Sequence, residues 1–177
     1  MKKIIVLFLF WTGIVQSQTD TAISYSGIIT TDTSLTSPQI YDLANSWFQK
    51  SFKSSKAVLN ITDKEAGHLA GTGNFPFDLI IPMGTPGTGV INFSVNIYCK
   101  QGRCKYVIDD FRHECFNTDY PSWDIITSAA ESPKVDWGVG KGMKNKQWIA
   151  MQQAVNAMAK QLISSLQESL TKKNDNW

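Results

Sequence analysis

The sequence contains few of the residues from which metal sites and disulfide frameworks are built. Its 177 residues include only three cysteines and two histidines. Three cysteines are too few for a small domain whose fold is held together by disulfides. A zinc site needs about four ligands, which this set of side chains barely supplies. No Gly-x-Ser-x-Gly motif occurs either, so the serine nucleophile of the α/β-hydrolases is absent.

The sequence also lacks an excess of charge of either sign. It carries 17 Lys+Arg and 15 Asp+Glu, and 42% of its residues are hydrophobic. This balance excludes a disordered chain and, at this length, predicts one globular domain.

Only one long apolar run is present, and it lies at the start of the sequence. Lys2 and Lys3 precede an apolar run over positions 4–15, and Ser17 ends a stretch of small or neutral residues. This layout predicts that residues 1–17 are a secretory signal peptide and that residues 18–177 form the mature domain. The run is shorter than the roughly 20 residues of a membrane-spanning helix.

Cleavage at this point changes the charge of the working protein. Loss of Lys2 and Lys3 leaves 15 basic against 15 acidic residues, so the mature domain is neutral. We therefore expect a periplasmic or extracellular protein that does not insert into the membrane after cleavage. A nucleic-acid partner is not expected, because such binding depends on an excess of Lys and Arg. No motif predicts a cofactor.

Two segments have the periodicity of amphipathic helices. Ser37 as N-cap and Pro38 in the first turn predict a helix over about 38–53. A second, longer helix is predicted over about 145–171, where apolar residues recur every three or four positions. A strand over 23–31 precedes the first helix, and four strands are predicted between the two helices.

The clearest strand signal is a hairpin with two-residue periodicity. Apolar residues alternate with polar ones over positions 91–100, and the Gln101-Gly102 turn leads into a second alternating strand. A two-residue turn places Lys100 opposite Arg103, and Cys99 opposite Cys104. We predict a Cys99–Cys104 disulfide with Cys115 free; the alternative is a pair of buried thiols.

Together these elements predict an α+β two-layer sandwich. Its order is β-α-β-β-β-β-α, with an antiparallel sheet of about five strands and both helices packed on one face. The other face then carries the polar residues of the strands, among them Tyr98 and Lys105.

Three segments of the sequence resemble a bacterial secreted domain of unknown function with a TATA-binding-protein-like (TBP-like) fold. They are the helix segment 40–47, the hairpin segment 98–106 and the helix start Lys146-Gln147-Trp148. The resemblance covers residues 23–170. It implies the TBP-like fold and export, but it brings no activity, ligand or catalytic residue.

One short motif suggests an enzymatic site. His113 and Cys115 lie two residues apart on a predicted strand, so their side chains share a face. A Cys–His dyad needs a third group to orient the histidine, and the sequence does not locate one. A solvated histidine at the end of a strand is the simpler interpretation, and no metal site is predicted.

The region 117–143 has no clear periodicity and is rich in aromatic residues. It is much longer than the about 12–15 residues of an ordinary connection. Tyr120, Trp123 and Trp137 lie in it, and such residues dominate binding hot spots. These three, together with Tyr98 and Lys105, are the candidate ligand-binding residues. The alternative is a loop that folds back over the core.

The function expected from these features is that of an exported, non-enzymatic binding domain of the bacterial envelope. Its partner would be an unknown protein, peptide or glycan. The alternatives are an enzyme with a site near His113 and Cys115, or a structural component of envelope assembly.

Overall fold

The computed structural model describes residues 20–52, 58–80, 84, 86–117 and 119–171. The predicted signal peptide, residues 1–17, lies outside these described residues. Seven elements occur in the predicted order: β1 (Tyr25–Thr30), α1 (Ser37–Ser51), β2 (Val58–Asp63), β3 (His68–Pro76), β4 (Gly89–Lys100), β5 (Arg103–Cys115) and α2 (Lys141–Thr171).

The five strands form one antiparallel sheet in the order β1-β5-β4-β3-β2. The tight turn at Gln101-Gly102 joins β4 and β5, and Gly102 adopts a positive φ of 69° that suits glycine. Cys99 lies opposite Cys104, and Lys100 lies opposite Arg103. The predicted register of this hairpin is therefore confirmed.

Both helices pack on the same face of the sheet, as predicted. α1 contacts β3, β4 and α2, and α2 also contacts β1. The indole N–H of Trp47 in α1 donates to Ser165 Oγ in α2 at 2.9 Å, which joins the two helices. The predicted α+β two-layer sandwich is thus confirmed.

The start of α1 differs from the prediction by one residue. Thr36, not Ser37, is the N-cap, and the side-chain oxygen of Gln39 accepts a hydrogen bond from the Thr36 backbone N–H at 2.9 Å. The Ser37 hydroxyl donates instead to the carbonyl oxygen of Cys99 at 2.9 Å. Ser37 therefore links the helix to the β4–β5 hairpin.

The segment between β5 and α2 folds back onto the core, between the edge of the sheet, which it bonds at Arg112 of β5, and α2. Side chains of α2 bind its backbone: Trp148 Nε1 donates to Ala129 O at 2.9 Å, and Gln152 Nε2 donates to Thr127 O at 2.7 Å. The Lys144 ammonium donates to Val135 O at 2.8 Å. These bonds satisfy carbonyl groups that an irregular segment would otherwise leave without partners. No helix among the described residues has the length and apolarity that crossing a membrane requires.

We predict that α2 is the main stabilising element of the helical layer. Leu162 is only 7% exposed within the core, so Leu162→Ala should lower the free energy of unfolding by about 2–5 kcal/mol. Denaturant unfolding monitored by circular dichroism measures this change. Lys160→Ala, on the exposed side of the same helix, is the matched control. Equal stability of the two variants would contradict the packing described above.

Candidate functional site

The tryptophans of the segment before α2 belong to the core. Trp123 is 1% exposed and Trp137 is 7% exposed. Trp123 makes edge-to-face contacts with Trp137 and Trp148, at ring-centroid distances of 5.8 and 6.1 Å. Tyr120 is half-buried against Trp137. The expectation that this segment presents exposed rings to a partner was therefore wrong for Trp123 and Trp137, because packing against α2 buries them.

His113 is also part of the core and is not a solvated side chain at a strand end. It is 2% exposed, and its Nδ1 atom accepts a hydrogen bond from the Trp123 backbone N–H at 3.3 Å. The Cys115 thiol donates to Thr88 O at 3.4 Å. In the described part of the chain no hydrogen bond joins the imidazole to this thiol, so the structure does not form the Cys–His dyad.

The two histidines lie on opposite faces of the sheet. His68 stacks on Tyr98 on the face away from the helices, with ring centroids 4.5 Å apart, whereas His113 lies on the helical side. Across the described ranges, no group of three or more His, Cys, Asp or Glu side chains is placed to hold a metal ion.

The face of the sheet opposite the helices is exposed, and we call it the open face. Its large side chains include Ile28, Ile61 and Tyr98, with exposed fractions of 64%, 45% and 40%. On this face Ile28 lies opposite Lys105, and Lys105 lies opposite Tyr98, whereas Ile61 lies opposite Ala70 at the other edge of the sheet. Large apolar side chains that remain exposed on one face mark it as a candidate interaction surface.

One end of the open face is strongly basic. Lys100, Arg103 and Lys105 surround a shallow concavity of about 410 Å³ together with Ile28 and Tyr98; we call these five residues the basic corner. The ion pairs of the described residues join Lys64 to Asp42, Lys141 to Glu131, and Arg112 to two aspartates. None of them includes a cation of the basic corner, so its three charges are uncompensated there.

Two of these cations face each other directly. Lys100 and Arg103 are Cα partners across β4 and β5, and like charges in this arrangement destabilise a sheet. The hairpin therefore retains an unfavourable pair at a position where an acidic residue on either strand would relieve it.

The β4–β5 hairpin contributes side chains to both the open face and the buried face of the sheet. Beneath the basic corner, Cys99 and Cys104 point into the core and are 3% and 0% exposed. Both are free thiols, as is Cys115, so the structure contains the predicted pairing without the disulfide bond. The neighbouring Cys99 thiol and burial both raise the pKa of Cys104. The Cys104 thiol donates to Lys105 O at 3.9 Å.

Sequence reasoning identified part of the basic corner. Tyr98 and Lys105 were candidate residues, and the structure brings them together as direct cross-strand partners. Ile28 was not a candidate, because its place beside Lys105 depends on the pairing of β1 with β5. Lys100 and Arg103 were placed opposite each other from the sequence, and the absence of an ion-pair partner for them emerged only from the structure.

The fold and this open face define a TBP-like α+β domain. A family model described as a domain of unknown function (DUF4468) with TBP-like fold matches residues 25–114. The chain belongs to this DUF4468 family. A search of curated proteins gives no significant match.

Two crystal structures share the fold. A DUF4468 family protein from Bacteroides ovatus ATCC 8483 is 14% identical, with a TM-score of 0.62 over 91% of this chain and 93% of that chain. A TBP-like protein from Parabacteroides distasonis ATCC 8503 is 15% identical, with a TM-score of 0.55 over 82% of this chain and 93% of that chain. At these identities the likeness shows the fold alone.

The burial of His113 generates a pH-dependence of stability. Burial lowers the pKa of His113 to about 4, against about 6.5 in the unfolded chain. Between these values the unfolded chain binds the proton and the folded chain does not. The stability contributed by neutral His113 is therefore complete above about pH 6.5 and is lost as the pH falls toward about 4, by up to about 3 kcal/mol.

We predict that His113→Phe reduces this loss. Between pH 7 and pH 4.5 the free energy of unfolding should fall by about 2–3 kcal/mol more in the wild type than in the variant. Urea unfolding at both pH values measures the difference. His68→Phe removes the histidine of the open face and serves as the matched control. An unchanged pH profile in His113→Phe would show that His113 is not the group responsible.

Proposed function

We propose that this chain is an exported, non-enzymatic binding domain whose basic corner binds a partner that carries carboxylates. The observation that carries the proposal is the facing pair Lys100 and Arg103, with Lys105 beside them and no acidic partner among the described residues. A bound carboxylate would relieve the repulsion of this pair and gain charge-assisted hydrogen bonds.

The shape and composition of the basic corner support the same proposal. Tyr98 and Ile28 supply exposed apolar surface at the rim of the concavity, and the three cations supply long, flexible donors. Binding surfaces commonly combine such an apolar contact with a few polar groups that orient the ligand. The stacking of His68 on Tyr98 fixes the ring that a ligand would contact.

The enzymatic alternative has less support. An enzyme at His113 and Cys115 would need the imidazole to reach the thiol, whereas His113 bonds the Trp123 backbone in the core. A structural role in envelope assembly would need an interaction surface as well. The open face is also the best candidate for that surface.

The proposed surface can be tested with two carboxylated polymers. Fluorescently labelled polyglutamate and polygalacturonate would be titrated with residues 18–177, and binding measured by fluorescence anisotropy. We predict that Arg103→Glu weakens binding by about tenfold or more, since a charged hydrogen bond contributes about 1.5–3 kcal/mol.

The matched control for this experiment is Lys160→Glu, which makes the same change of charge on the exposed side of α2. It should leave the affinity nearly unchanged, apart from a weak effect of net charge. If both variants lose the same affinity, the attraction is non-specific. If neither polymer binds the wild type, the proposed anionic ligand is wrong.

Export also bears on the state of the cysteine pair. We propose that the Cys99–Cys104 disulfide forms in an oxidising compartment, where such bonds persist. Support comes from the direct cross-strand pairing of the two residues, since Cα atoms of opposed strand residues are about 4.5–5.5 Å apart, within the range of a disulfide.

We predict that protein secreted into an oxidising compartment contains one free thiol after unfolding without reductant, contributed by Cys115. Thiol titration counts it, and Cys115→Ser should reduce the count to zero. Three free thiols in the wild type would contradict the disulfide. Because the bond closes a very short loop, its effect on stability should lie at the low end of about 0–5 kcal/mol.

A further inference from the structure

The strand at one edge of the sheet lacks the features that normally protect an edge. β1 pairs with β5 on one side only, in continuous register. Its six residues, Tyr25–Thr30, include no charged residue and no proline. Exposed edges are usually protected by lysine, proline or a bulge. The opposite edge strand, β2, does contain a register shift, between Leu59 and Ile61.

The hydrogen-bond pattern identifies which groups of β1 point outward. The Cys99 N–H donates to Gly67 O at 2.7 Å, away from β5, so Cys99 and Cys104 form a non-hydrogen-bonded pair. The backbone groups of Cys104 then turn toward β1 and bond its partner Ile29.

The direction of the backbone N–H and C=O groups alternates from residue to residue along β1. Because Ile29 bonds β5, the N–H and C=O groups of Ser26, Ile28 and Thr30 point away from the sheet. The bond from Thr31 N–H to Gly102 O at 3.0 Å fits the same alternation. In the described part of the chain, no hydrogen bond to another element occupies these outward groups.

We propose that an extended acidic segment of a partner protein adds to the sheet beside β1 as a sixth strand. This inference rests on the proposed function and specifies its ligand. The added strand would lie about 4.8 Å from β1, with its open-face side chains next to Ile28 and about 10 Å from β5. The long side chains of Arg103 and Lys105 can span that distance to meet carboxylates.

The outward backbone groups of β1, together with the cations of the basic corner, favour a polypeptide over a glycan as the ligand. An extended peptide presents alternating N–H and C=O groups that match those of Ser26, Ile28 and Thr30, whereas a sugar chain does not. Main-chain pairing of this kind supplies affinity, and the alternate side chains supply specificity. Here the specificity would come from acidic residues over the cations and an apolar residue against Ile28.

Charge also argues against a second copy of this chain as the occupant. β1 carries no acidic residue, so β1-to-β1 pairing would leave Lys100, Arg103 and Lys105 uncompensated. It would also bring a second set of the same cations toward the first. An acidic strand is therefore the better complement.

The probe for this inference is a labelled peptide of about ten residues in which glutamate alternates with valine and threonine. Its affinity for residues 18–177 would be measured by fluorescence anisotropy. We expect Ile28→Pro, which removes one outward N–H, to weaken binding by about tenfold or more. Ile28→Ala keeps the N–H and removes only side-chain contact, so its loss should be clearly smaller. The same peptide with lysine in place of glutamate should not bind.

A modified peptide tests the proposal without altering the protein. N-methylation of every second residue removes the N–H groups on one edge of the probe. Methylation of the set that faces β1 should abolish binding, whereas methylation of the other set should be tolerated. Equal effects of the two sets would overturn strand addition, as would unchanged affinity in a folded Ile28→Pro variant.

The outcomes separate this inference from the proposed function. Loss of binding in Arg103→Glu without any effect of Ile28→Pro or N-methylation would refute strand addition and retain the anionic surface. Binding of polygalacturonate but not of the peptide would do the same. If neither ligand binds, both proposals fail. Dimerisation of the wild type that Ile28→Pro abolishes would assign the edge to a second copy instead and overturn the acidic partner.

Discussion

The coverage of the sheet on one side only is the constraint on which the rest of the structure depends. β4 alternates, and β5 alternates on either side of a register shift opposite Asn92 and Ser94, so most of their large apolar side chains point to one face. Both helices and the segment before α2 bury that face, and they bring Trp123, Trp137 and Trp148 into the same core. No described element covers the second face, so the residues that project from it are the ones available to a partner.

This arrangement separates two kinds of residue that look alike in the sequence. The aromatic rings of Trp123 and Trp137 stabilise the fold, whereas Tyr98, on the opposite face, remains 40% exposed. Under the proposed function, stability and recognition would thus depend on different faces of one sheet. Substitutions on the open face would then change the proposed ligand while the core is left intact.

Local sequence patterns predicted the helices and strands well, because these elements depend on short-range geometry. The two-residue turn set the register of Cys99 and Cys104, and the three- and four-residue spacing located α2. The burial of Trp123 and His113 was not predictable in this way. For Trp123, the segment before α2 has no periodicity, so nothing local shows on which side the ring lies. For His113, a register shift between β4 and β5 interrupts the alternation of β5 before the strand reaches it. The basic corner could not be predicted in full from local patterns, because it depends on the long-range pairing of β1 with β5. That pairing places Ile28 beside Lys105.

The positions of the charges along β5 have a kinetic consequence. The strand begins at Arg103 beside Lys100 and Lys105, and Asp109 follows toward its other end, where the carboxylate of Asp110 is paired with Arg112. At the roughly 3.3 Å rise of a strand residue, the two groups of opposite charge are about 20 Å apart. A charge separation of this kind gives the hairpin end a positive potential, which would turn it toward an approaching anion before contact. Such steering accelerates association, and dissolved salt weakens it because the field is screened beyond about 8–10 Å.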